Sequence, residues 1–136
     1  MPADWTGVGV LAFAGVKFAG YTSAGYLLRR AYDTDSPNPF YFGAARTALG
    51  IAVGVSFATL IHKFLGVESS DSVFFMALLP IRFGEWFFVI LLFFGRDRDI
   101  GLKIIGLSIL GMMWSYLLDI PAVFAAFYVP GGFWIC

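Results

Sequence analysis

Lys17, His62, Arg82, Glu85 and Asp119 sit inside stretches that are otherwise oily. Arg82 and Glu85 stand three apart in LPIRFGEWFF, residues 79–88, just after Pro80. On a helix that spacing puts both on one face. A guanidinium beside a carboxylate neutralises it, and an ammonium close by leaves a positive excess. In a low dielectric such an excess attracts a carboxylate, a phosphate or a lipid headgroup. His62 and Asp119 have a different chemistry. At one level they would form a proton relay or the start of a metal site. No metal is expected, because the sequence has one histidine, no cysteine near it and no ligand spacing.

Each residue also has a plainer reading. Arg82 and Glu85 would serve equally as a structural ion pair. His62, next to Lys63, is more ordinarily placed among headgroups, with Asp119 in outer water. Arg46 reads as a basic anchor at a membrane surface.

The solvent around these groups follows from composition. The chain of 136 residues is 60% hydrophobic and 13% charged, with a mean hydropathy of +0.82. A soluble domain is about a quarter charged. So little charge cannot cover a water-facing surface, and lipid is the expected solvent. Net charge is zero, which gives no basis for nucleic-acid binding. The lone Cys136 rules out an intrachain disulfide or a cysteine zinc site, and is too close to the end for a prenylation box.

Four apolar stretches reach the ~20 residues that a spanning helix needs. They cover roughly 6–28, 43–65, 72–94 and 100–129. Lipid cannot satisfy free backbone groups, and the runs do not alternate as barrel strands do, so they are expected to be helices. The first lacks a basic flank and ends in Arg29-Arg30, which sets it apart from a cleaved signal. The predicted fold is an all-α polytopic integral membrane four-helix bundle, one domain over 1–136, with a short interfacial segment at 130–136. Arg29, Arg30 and Arg46 flank the first connection, and Arg96, Arg98 and Lys103 the third. The second has only Lys63. Both termini are therefore expected on the outer, periplasmic or extracellular, side of a plasma (inner) membrane.

Depth predicts partners. At ~1.5 Å per residue, Lys17, Arg82 and Glu85 lie roughly 15–20 Å into a core ~30 Å thick. A charge there costs about 2.5–3.5 kcal/mol or more. A midplane cluster of Lys17, Arg82 and Glu85 is expected, lined by Tyr21 on the Lys17 face and by Trp86 stacked on Arg82. His62 and Asp119, each roughly 28 Å along its helix, form the expected outer polar pair. Gly50 and Gly54 form a GxxxG ridge, serving either packing within the chain or a homo-oligomer.

No Walker loop, GxGxxG or HExxH occurs, so no cofactor is expected and no catalytic set is assigned. The leading functional expectation is an intramembrane site for an anionic or amphipathic ligand in a small transporter or carrier. Its alternatives are a membrane enzyme acting on a lipid-like substrate, with His62 or Glu85 as base, and an accessory subunit of a larger membrane complex. Expected partners are membrane lipid, the ligand, and a second copy or a larger complex. The orientation is tested by thiol labelling of intact cells: Ser36→Cys should be shielded from an impermeant reagent, and Ser70→Cys should react.

Overall fold

The computed structural model describes residues 8–65, 71–95 and 101–128. Trp5, the turn holding Arg96 and Arg98, the loop holding Ser69 and Ser70, and the interfacial segment 130–136 lie outside the described residues, as does the side chain of His62. The described chain forms four helices and no strand: α1 (Val8–Tyr32), α2 (Pro39–Leu65), α3 (Asp71–Phe94) and α4 (Leu102–Tyr128).

Local chemistry sets the first connection. α1 runs four residues beyond the predicted Leu28, because Arg29 and Arg30 are good helix formers and do not stop it. Asp33 stops it, in the left-handed region at φ 50°. The Asp33 amide donates to the Arg30 carbonyl (3.3 Å) and the Thr34 amide to the Arg29 carbonyl (3.1 Å). That is the paired closure of a Schellman end. Lys103 Nζ, reaching over from α4, donates to the Ala31 carbonyl at 2.6 Å and satisfies another exposed end group. α2 starts four residues before the predicted Gly43. Asn38 Oδ1 accepts from the Phe40 amide at 3.0 Å, and Pro39 takes the first helical position, where no amide hydrogen is needed.

α3 and α4 continue through Pro80 and Pro121 respectively. The helices form an up-down ring in which α1 touches α2 and α4, and α3 touches α4 and α2. The α2–α3 seam is the loosest of the four. Inward positions recur at three and four residues: Lys17, Tyr21, Ala24, Leu28 and Tyr32 on α1; Arg82, Trp86, Ile90 and Phe94 on α3; Ile104, Ser108 and Ser115 on α4. Towards the end bearing the first connection the core is aromatic. Tyr32 stacks on Phe94 with centroids 5.1 Å apart, and Phe42 meets Phe93 and Phe94 edge-on.

Glycines allow close approaches between helices at two further points. A Cβ at Gly43 would run into Thr22 of α1, and one at Gly111 would run into the indole of Trp86. Gly111 thus lets Trp86 lie flat against α4.

The distribution of side chains is inverted relative to a water-soluble bundle. Lys17, Arg46, Arg82, Ser108 and Ser115 are buried, while Leu11, Met76, Leu92, Leu110 and Met113 are more than half exposed. By length and composition, three helices can cross a membrane, over Pro39–Phe57, Met76–Phe94 and Leu102–Pro121. α1 is diluted by Lys17 and by its glycines, Tyr21, Thr22 and Ser23.

Gly111→Ala should lower the thermal unfolding midpoint in detergent, at a cost of about 1–3 kcal/mol from overpacking. Gly106→Ala, where a methyl meets open space, should leave it unchanged or raise it.

Candidate functional site

Five charged side chains meet inside the ring. On one level, Asp119 of α4 divides its two carboxylate oxygens between two cations. Lys17 Nζ of α1 donates to Oδ1, and Arg82 Nη1 of α3 lies 2.6 Å from Oδ2. The side chains of Lys17, Arg82 and Asp119 are 5%, 4% and 13% exposed. Rings complete their surroundings: the Arg82 guanidinium lies 4.3 Å from the centroid of Tyr116, and Lys17 Nζ 5.8 Å from that of Tyr21.

Arg46 of α2 and Glu85 of α3 form a second pair nearer the first connection. Nη2 donates to Oε2 at 2.7 Å, with the two side chains 2% and 9% exposed. Tyr21 and Trp86 flank the guanidinium, with centroids 4.9 and 5.2 Å from its carbon. Arg46 Nε and Nη1 have no hydrogen-bond partner among the described residues. Beside them is a cavity lined by Tyr21, Arg46, Gly50, Gly54, Arg82 and Glu85, with Val53, Leu78 and Ile81 as its apolar wall. The centre of a water molecule has ≈ 20 Å³ to move in there, enough for one water. A Cβ at Gly50 would stand only 3.1 Å from Nη1, so the glycine makes room for that buried nitrogen.

Ser115 holds the aromatic flanks in place. Trp86 Nε1 donates to its Oγ at 2.7 Å, and the Tyr21 hydroxyl shares a bond with the same oxygen at 3.3 Å. Tyr21 also meets Trp86 edge-on at 5.8 Å. One serine on α4 therefore orients the two rings that bracket Arg46, and neither buried polar tip is left unbonded.

Lys17 and Arg82 converge as expected, but the carboxylate between them is Asp119. Glu85 belongs to Arg46 and not to Arg82. Trp86 stacks against Arg46, while Tyr116 takes the place against Arg82. Asp119, expected beside His62, is engaged by Lys17 and Arg82, while the expected contact with His62 lies outside the described residues. Each correction has the same physical origin. The helices have 24 to 27 residues and exceed the core thickness, so height counted from one end misleads. α4 runs nine residues past Asp119, about 13 Å, which brings the carboxylate down to the level of Lys17. α2 begins four residues early, at Pro39, which moves Arg46 about 6 Å further in, to about 10 Å from the helix start and the level of Glu85.

Arg46 is the functional residue that the sequence reading misplaced, as a surface anchor. A signal for it was present. It shares a helix face with Phe42, Gly50 and Gly54, and so with the glycine ridge that serves packing either within the chain or between copies. Ser108, Ser115 and Asp119 are spaced seven and four apart, which puts Ser115 on one stripe of α4 with the other two.

Among the described residues, no three metal-ligating His, Cys, Asp or Glu side chains come together. No protein-family model matches the chain, and no curated protein or solved structure is similar to it. The chemistry of the site must therefore come from its own geometry. Among the described residues, three interior cations face two carboxylates, an excess of one positive charge. The arrangement is suited to holding an anion.

Double-mutant cycles measured by unfolding in detergent separate the observed pairing from the one expected by depth. Lys17→Met with Asp119→Asn should couple by about 1 kcal/mol or more, and Lys17→Met with Glu85→Gln should be close to additive. Asp119→Asn alone strands two buried cations and should cost about 3–5 kcal/mol.

Proposed function

We propose that the chain is an integral membrane protein of four crossings, with both termini on the outer face of the plasma membrane, and that it binds and carries an anionic or amphipathic ligand at its interior charged cluster. The inverted side-chain distribution supports the membrane setting. α1 belongs with the other three helices because Asp119 neutralises Lys17, the charge that sets it apart. The basic flanks of the first connection and Lys103 at the start of α4 support the orientation.

A single observation carries the ligand class: a buried excess of one positive charge, with two Arg46 nitrogens unclaimed beside a cavity. Burying a cation without full compensation is costly, and an arriving anion would remove that cost. Among the described residues, two candidate catalytic groups are already engaged. Glu85 holds Arg46, and Ser115 holds Trp86.

The test uses purified protein in liposomes and a set of radiolabelled anions: oleate, benzoate and inorganic phosphate. Wild type should retain and translocate at least one of them. Arg82→Gln, with helix content checked by circular dichroism, should lose that activity. Failure of wild type to retain any of the three, or full retention by Arg82→Gln, would overturn the proposal.

A further inference from the structure

The α2–α3 seam differs from the other three in both packing and lining. It is the loosest contact in the ring, and the Arg46 cavity opens from it. The cavity has one polar end, made by Tyr21, Arg46, Arg82 and Glu85, and one apolar wall, made by Val53, Leu78 and Ile81 with Gly50 and Gly54. The cavity leaves ≈ 20 Å³ for the centre of a water molecule inside and opens part-way onto the groove between α2 and α3. The enclosed part therefore admits an oxygen or two of a ligand, and the remainder of the ligand has to lie in the groove. Exposed residues next to the lining positions, Ile51 and Val55 on α2 and Leu79 on α3, are apolar, so the groove's neighbourhood suits hydrocarbon better than a hydrated ion.

Charge narrows the choice further. One uncompensated positive charge is balanced by one negative charge. A carboxylate or a phosphodiester carries one at neutral pH, whereas a phosphate monoester carries more. Arg46 already gives Nη2 to Glu85, and Nη1, buried and without a hydrogen-bond partner among the described residues, is left to give a second charge-assisted bond to an incoming oxyanion.

Deepening the anion-carrying function proposed above, we infer that the α2–α3 groove seats a singly charged amphiphile, its oxyanion on Arg46 Nη1 and its acyl chain between the two helices, arriving sideways from the bilayer and not from water. A fatty carboxylate and a diester phospholipid headgroup share this chemistry.

The experiment is binding of radiolabelled oleate and of radiolabelled phosphatidylglycerol to the full-length protein in nanodiscs, with acetate and inorganic phosphate as competitors. Retention of either amphiphile, undisturbed by a large excess of acetate or phosphate, is the expected result, and which one is retained names the source of the oxyanion. Gly54→Leu fills the groove without changing any charge and should weaken binding about tenfold or more, the range of a lost charge-assisted contact. Gly50→Ala, a smaller change that crowds Nη1, should weaken it too and guards against misfolding of the leucine variant. Displacement by acetate or phosphate, or unchanged binding in both glycine variants, would overturn lateral seating while leaving an interior anion site in place. Retention of no anion at all by wild type would remove both this inference and the function on which it rests.

Discussion

The bundle depends on one carboxylate. Asp119 stands between an ammonium from α1 and a guanidinium from α3 and gives one oxygen to each. Without it, two cations would face each other in an interior that water does not reach. The geometry accounts for the closed ring, since α4 is the element that both α1 and α3 need. Around this bond other inward polar groups find partners close by. Ser115, one turn before Asp119, binds Trp86 and Tyr21, and those rings bracket Arg46.

Buried ion pairs are weak contributors to net stability, because desolvation offsets much of their attraction. What they impose is registry. Lys17, Arg82 and Asp119 can all be satisfied at only one relative height of three helices, and Arg46 with Glu85 sets the fourth. The aromatic end of the core, from Tyr32 to Phe94, supplies packing without such precision. The charged level therefore decides alignment, and the aromatic level supplies adhesion. The loose α2–α3 seam lies where the only cross-link at the charged level is the Arg46–Glu85 bond among the described residues.

Much of this was legible in the residues. Four long apolar runs announced four helices, and the cost of immersed charge announced that Lys17, Arg82, Glu85 and Asp119 would seek company. The ends of α1 and α2 were less legible, because arginines at 29 and 30 look like a membrane edge yet propagate a helix until Asp33 turns it. Partner choice was the least legible part. Arg82 and Glu85 are neighbours on one helix, and proximity along the chain suggested a bond. Across the ring each meets an opposite charge with better geometry, and i,i+3 adjacency is worth only about 0.2–0.5 kcal/mol. Height counted from one predicted end could not resolve the choice, since the four-residue shift at the start of α2 already exceeds the three-residue spacing between Arg82 and Glu85, and Asp119 is nine residues from one end of α4 but seventeen from the other.

The Lys17–Asp119 bond spans 102 residues of sequence. Synthesis runs from the first helix to the last, so the ammonium reaches its destination long before its counterion has been made. During that interval the helical hairpin of α1 and α2 carries both Lys17 and Arg46 with neither acid yet present. A hairpin carrying two cations without their acids is best kept hydrated until α3 and α4 arrive. The acid that completes the architecture is thus the last charged member of the cluster to be made.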